Sequence, residues 1–228
     1  MKKYEIFLFD ADDTLYDYDM SEANALKTML ESIGISFDIT LHKRYREINM
    51  QTWKRFEQGE ISSEELQTSR FARLFDELGI HEDAKEFNAS YLAEFGKGSF
   101  LIDGALDICK AITSQGKEIY IVTNGLVLSQ EARVKHSPLV QYISDTFVSD
   151  RVGYQKPHPA YFDYVFKHIP QIGKDKFLII GDSLTADIVG GNNAGIDTCW
   201  FNERRKENHT EITPTYEIHK LRELEKFI

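Results

Sequence analysis

Ile6-Phe7-Leu8-Phe9-Asp10-Ala11-Asp12-Asp13-Thr14 is the stretch on which the fold turns. Four consecutive apolar residues followed at once by an acidic turn read as a strand that ends at Asp10. Continuous rather than alternating apolarity predicts a strand covered on both faces, as in a parallel sheet. The pattern returns at Glu118-Ile119-Tyr120-Ile121-Val122, at Phe177-Leu178-Ile179-Ile180 and at Thr198-Cys199-Trp200-Phe201, with a shorter run at Thr146-Phe147-Val148-Ser149. Helical periodicity lies between them, at about 104–114, 128–135, 160–168 and 186–193. Strands alternating with helices imply βαβ units with right-handed crossovers. The tail adds an edge strand near Tyr216 and a closing helix at about Leu221–Phe227.

Between the first strand and the second the pattern is different. From about Met20 to Phe95 the periodicity is helical and no strand is visible. Ala23, Leu26, Leu30 and Ile33 recur at helical spacing and Gly34 stops them. Ser62-Ser63-Glu64-Glu65 is a helix start, and Leu66, Phe71, Leu74, Phe75 and Leu78 follow up to Gly79. Trp53, Phe56, Phe71 and Phe75 are expected in the core of this segment. The expected architecture is an α/β, Rossmann-like parallel-sheet core, residues 1–17 and 97–228, interrupted after its first strand by a helical domain, residues 18–96.

Composition narrows the classes of function. The 228 residues carry 27 Lys and Arg against 37 Asp and Glu, a net charge of −10. Such an acidic chain lacks the basic footprint of a nucleic-acid polymer binder. Small anions are still admissible, because one lysine and a metal ion reverse the field locally. Cys109 and Cys199 form neither a disulfide framework nor a zinc spacing. No apolar run approaches the ~20 residues that span a bilayer. The apolar run near the N-terminus is short and contains Glu5, unlike a signal peptide. A cytoplasmic protein with no membrane partner is expected; oligomeric state is not legible.

In open α/β sheets ligands gather beyond the carboxyl ends of the strands. Asp10 and Asp12 follow the first strand, and Thr123-Asn124-Gly125 the second. Lys156-Pro157 lies in the loop after the third, and Asp182, Ser183 and Asp187 follow the fourth. Two carboxylates 4 Å apart repel by roughly 4 kcal/mol at an effective dielectric of about 20. Four of them beside a phosphate dianion require positive charge, and a hard divalent cation with oxygen ligands supplies it. Lys156 adds an ammonium, and Thr123 and Asn124, with backbone N–H groups, suit phosphate oxygens. Asp10, at the strand end, is the candidate nucleophile, able to form an acyl phosphate. Asp12 is the candidate acid/base, protonating the leaving alkoxide and later deprotonating water.

Asp10-Ala11-Asp12-Asp13-Thr14, Thr123-Asn124-Gly125, Lys156-Pro157 and Gly181-Asp182-Ser183 through Asp187 together resemble the four motifs of the haloacid dehalogenase-like (HAD) superfamily, in its order and over nearly the whole chain. The resemblance implies that Asp10 is nucleophile and Mg²⁺ ligand, and that Asp12 is acid/base and binds the metal through its backbone carbonyl. It further implies that Thr123 and Lys156 hold the phosphoryl group, that Asp182 binds the metal directly and that Asp187 acts through water. The insert resembles the helical cap of that superfamily, which would close over substrate. Ile121-Val122-Thr123-Asn124-Gly125, Val152-Gly153-Tyr154-Gln155-Lys156-Pro157 and Asp187-Ile188-Val189-Gly190-Gly191 are similar to the YjjG/YfnB-type branch, as are Thr198-Cys199-Trp200-Phe201-Asn202 and Pro214-Thr215-Tyr216. That branch implies a pyrimidine 5′-nucleotidase acting on nucleoside monophosphates. Asp13 departs from the pattern, and nothing in the sequence explains it.

Each motif has a plainer reading when taken alone. Asp12-Asp13-Thr14 makes an ordinary turn and cap, Asp182-Ser183 an N-cap, and Lys156-Pro157 a surface dipeptide. Their joint order favours chemistry. Within enzymes, a sugar-phosphate phosphatase or a phosphomutase on the same core is the alternative. In another class stands a catalytically silent binding module. Tyr16 and Tyr18 follow the acidic loop and are candidates for bordering the pocket and stacking on a base.

Overall fold

The computed structural model describes residues 3–228. Six strands form one sheet: β1 (Ile6–Phe9), β2 (Glu118–Thr123), β3 (Asp145–Val148), β4 (Phe177–Gly181), β5 (Asp197–Phe201) and β6 (Tyr216–Ile218). They lie in the order β3-β2-β1-β4-β5-β6, every pair parallel. This is the α/β fold expected from the continuous apolar runs. The reason is visible in β1. Phe7 and Phe9 pack on one face with Ile119, Ile121, Leu178 and Ile180, while Ile6 and Leu8 pack on the other with Tyr120, Val122 and Ile179. Alternate side chains point to opposite faces, and both faces are covered, so no position is left for a polar residue.

Among the described residues nine α-helices accompany the sheet. Four belong to the insert: α1 (Tyr18–Ser32), α2 (Ile39–Glu57), α3 (Ser63–Leu78) and α4 (Ala84–Lys97). Five belong to the core: α5 (Ala105–Ser114), α6 (Val127–His136), α7 (Ser149–Val152), α8 (Pro159–His168) and α9 (Val189–Ala194). The chain divides into two compact units, Asp19–Gly98 and the remainder.

Within the helical unit the caps are written in the sequence. Asp38 and Asp83 accept from the first backbone N–H groups of α2 and α4. Ser62 and Glu65 close a reciprocal capping box on α3. Tyr45, Phe71, Phe75, Phe87 and Tyr91 form its aromatic centre. Trp53 and Phe56 are only half-buried and pack edge to face on each other.

Three local expectations are corrected in the core. Ser149 opens α7 instead of closing β3. The helix expected from Ala186 is preceded by a π-turn, Leu184–Ile188, before α9 begins. The closing segment Leu221–Phe227 is a 3₁₀ helix, whose Leu221, Leu224 and Phe227 recur every three residues and are all buried.

Candidate active site

The order of the strands places a switch point beside β1. β2 and β3 lie on one side of it and β4, β5 and β6 on the other, so the loops leaving β1 and β4 diverge and open a crevice. Phe9 is in register with both Ile121 and Ile180, which brings the carboxyl ends of β1, β2 and β4 level. The Asp10 N–H still donates to the Ile180 carbonyl at 2.8 Å, so the acidic loop starts from a fixed point.

Asp10 is buried, and its Oδ1 accepts from Lys156 Nζ at 2.7 Å. The same ammonium donates to Asp187 Oδ1 at 2.7 Å and to the Val122 carbonyl at 2.6 Å. All three of its protons therefore have protein acceptors, and contact with a phosphoryl oxygen requires one of these bonds to be shared. Burial works against the lysine charge, but Asp10 and Asp187 overcome it and hold the ammonium above the ordinary lysine range. Burial pushes the Asp10 carboxyl up to about 7; Lys156 opposes the shift and Asp187 adds to it.

Asn124 explains how a lysine in a loop is placed so exactly. Its Nδ2 donates to the Lys156 carbonyl at 2.9 Å and its Oδ1 accepts from the Lys156 N–H at 2.8 Å. The side chain is thus engaged in splinting the Lys156 backbone. Thr123 is buried at the end of β2, and its Oγ1 accepts from the Gly125 N–H at 3.1 Å.

The loop after β4 delivers the remaining carboxylates. The π-turn folds Asp187 back over the strand end, where its Oδ2 accepts from the Ser183 N–H at 3.1 Å. A Cβ on Gly181 would lie 2.1 Å from that oxygen, so the fold needs glycine there for space. The Asp182 carbonyl is pinned by the Trp200 indole N–H at 2.9 Å, and a cleft lined by Asp13, Asp17, Asp182, Asn202 and Lys206 opens beside it. Burial, with Asp10 and Asp187 adding, raises the Asp182 carboxyl to about 8. Asp10, Asp182 and Asp187 each offer an oxygen within 4.8 Å of the others. Hard oxygen donors this close to one another are a donor set that fits a divalent cation.

Asp12 takes a different direction. Its Oδ2 accepts from Gln130 Nε2 at 2.7 Å and its Oδ1 from the Arg133 guanidinium, both on α6. Sequence reasoning missed these two residues. The available signal was their i, i+3 spacing on the helix just after Gly125, which puts both on one face. Tyr16 is fully buried under the Arg133 guanidinium, 5.2 Å from its ring, so it cannot stack on a substrate base. Asp13 adopts a left-handed conformation, φ 56°, which aspartate tolerates better than most residues. Its Oδ1 accepts from the Tyr18 N–H at the start of α1, which accounts for an acid at this position.

The haloacid dehalogenase-like hydrolase family model matches residues 4–195. The chain belongs to the haloacid dehalogenase-like hydrolases. Among its relatives, the HAD-hydrolase YfnB of Bacillus subtilis is 44% identical, covering 98% of this chain and 95% of YfnB. The pyrimidine 5′-nucleotidase PynA of Streptococcus pneumoniae is 38% identical over 97% of this chain and 93% of its own. The pyrimidine 5′-nucleotidase YjjG of Escherichia coli is 30% identical over 99% and 98%. A crystal structure of YfnB bound to magnesium superposes with a TM-score of 0.89 at 43% identity, covering 98% of this chain and 97% of YfnB. The HAD-like reading of the four motifs is therefore correct at the level of family and fold. No helix among the described residues is long and apolar enough to cross a membrane.

Proposed function

We propose that this HAD-like hydrolase is a Mg²⁺-dependent phosphomonoesterase that works through an aspartyl-phosphate on Asp10, and that its substrates are pyrimidine nucleoside 5′-monophosphates. The observation that carries the chemistry is the buried Asp10 carboxylate, 2.7 Å from the Lys156 ammonium and beside the Asp182 and Asp187 carboxyls. The substrate class rests on the likeness to PynA and YjjG. In this reading residues 1–17 and 97–228 are the catalytic core and residues 18–96 the cap domain. The enzyme acts on free nucleotides in the cytoplasm and not on nucleic-acid polymers.

Asp10 attacks phosphorus: its carboxylate forms one P–O bond while the bond to the leaving alkoxide breaks. Asp12 gives that alkoxide its proton. Asp12 then takes a proton from water, which attacks phosphorus, releases phosphate and returns Asp10 as a carboxylate. Lys156 and the main-chain N–H groups around Thr123 and Asn124 stabilise the phosphoryl charge. Asp10, Asp182, the Asp12 carbonyl and, through water, Asp187 would hold Mg²⁺, which supplies the charge neutralisation that lets carboxylates and phosphate share one pocket.

The test is phosphate release from a panel of nucleoside and sugar monophosphates, with Mg²⁺ and with chelator. The expected result is Mg²⁺-dependent turnover fastest on pyrimidine nucleotides such as dUMP. Equal rates on sugar phosphates would overturn the nucleotide assignment. Inactivity of the wild type on every substrate, p-nitrophenyl phosphate included, would favour the silent-module alternative.

A further inference from the structure

The geometry points to Gln130 and Arg133 as positioning residues that hold the Asp12 carboxylate in its working orientation for proton transfer. This rests on the acid/base reading of Asp12 and extends it to helix α6. Both residues are polar, and both are in the interior: Gln130 is 2% exposed and Arg133 0%. The Gln130 amide nitrogen donates to one Asp12 oxygen and the Arg133 guanidinium to the other. The Oε1 of Gln130 is buried with no hydrogen-bond partner among the described residues. The bond to Asp12 is thus the polar gain set against burying this amide.

Two further features hold the clamp. A Cβ on Gly125 would come within 2.5 Å of Gln130 Nε2, so the glycine that follows Thr123 and Asn124 keeps open the space in which the amide sits. Arg133 packs on Tyr16, whose carbonyl accepts from the Asp13 N–H at 2.8 Å, so the guanidinium rests on the same loop that carries Asp12. A carboxylate has about four lone-pair directions, of which α6 occupies two. The Asp12 side chain remains 29% exposed, so an open side is left for the leaving group and for water. Held at both oxygens from one side, Asp12 presents the others without a search over rotamers, which is the positional contribution to catalysis.

A leaving group that needs no proton makes this testable. Asp12→Asn, Gln130→Met and Arg133→Lys are compared with wild type on dUMP, an alkyl phosphate, and on p-nitrophenyl phosphate, whose phenolate departs unprotonated. The quantity read is kcat/KM, which extends only to release of the leaving group. Asp12→Asn is expected to lose ~10²-fold or more on dUMP and little on p-nitrophenyl phosphate. Gln130→Met and Arg133→Lys are expected to show the same selectivity in weaker form, roughly tenfold on dUMP and within about twofold on the aryl ester, with KM nearly unchanged. If these two variants lower both substrates equally, or neither, while Asp12→Asn keeps its selectivity, the positioning role is overturned and the acid role stands. If Asp12→Asn itself does not discriminate, the acid role falls and takes the positioning role with it. Should Arg133→Lys fail to fold, Gln130→Met, close to isosteric, decides alone.

Discussion

Two clusters of buried charge, one in the helical unit and one at the sheet edge, are arranged in opposite ways. In the helical unit Arg70, 2% exposed, donates to Asn49 at 3.0 Å and to Asn88 at 2.7 Å, and lies over the rings of Phe71 and Tyr91. Asn49 passes the network on to buried Glu22, which also has His42 at 3.3 Å and Arg46 at 3.6 Å. Acid and base are both present, linked through amides. At the sheet edge Asp10 and Asp187 share one ammonium, and Asp182 brings a third carboxyl within 4.8 Å of theirs. Two of these carboxyls stand near 7 and 8, pushed up by burial. A fold does not gather excess like charge for stability, since desolvation and repulsion both oppose it. The first region reads as a scaffold, and the second as the site for which we propose a cation and a phosphoryl group.

The sharpest way to break this contrast is Asp10→Asn, which removes charge from the crowded region. Activity on p-nitrophenyl phosphate should fall by at least ~10³-fold while the melting temperature holds or rises, and a mutant that keeps activity would remove Asp10 from the chemistry. Arg70→Met should do the reverse. It removes the guanidinium that donates to the Asn49 and Asn88 oxygens and should cost about 3 kcal/mol in urea unfolding. A cost near zero would mean that the network is not a scaffold.

The pH dependence tests the unbalanced charge itself. Asp10 and Asp182 have folded pKa values raised from 3.8 to about 7 and about 8. The folded, metal-free protein therefore binds more protons than the unfolded chain across that interval. The stability these two groups contribute is complete below about pH 4 and is lost as pH rises through 8. Thermal melts in chelator should accordingly show the site's contribution declining from pH 5.5 to 8.5. Added Mg²⁺ should raise the melting temperature more at pH 8.5 than at pH 5.5, because fewer protons have to be displaced. An equal shift at both ends would contradict the raised values. The smallest effect is expected from Glu77→Gln. Arg44 holds the Glu77 carboxyl down to about 2, yet the pair is on the surface, and its loss should leave the melting temperature unchanged within about 2 °C.

Much of this was legible because it is local or periodic. The buried strands announce themselves as unbroken apolar runs, since a sheet covered on both faces leaves no room for alternation. Ser62 with Glu65, and Gly79 after Leu78, mark the ends of α3 through hydrogen bonds that span only a few residues. The candidate residues Asp10, Thr123, Lys156 and Asp182 were visible because each ends a strand, directly follows one or sits in the loop beyond one. Gln130 and Arg133 were not. A glutamine and an arginine on an amphipathic helix read as its solvent face, and only the packing of α6 on the acidic loop buries them. Nothing near Asn124 in the chain shows that its side chain splints the Lys156 backbone 32 positions away. Tyr16 reads as a candidate for bordering the pocket because it follows the acidic loop, whereas the structure buries it completely.

From its order of residues alone this chain determines its strands, its helical insert, the acidic ends of its strands and the family to which it belongs, because hydrophobic periodicity and turn chemistry act over a few neighbours. Which face each polar side chain meets was decided by the tertiary structure. Strand order brings Asp10 level with Lys156 and Asp187, and helix packing hands Asp12 to Gln130 and Arg133. Those pairings span 118 to 177 positions in the chain, and no short-range rule specifies them.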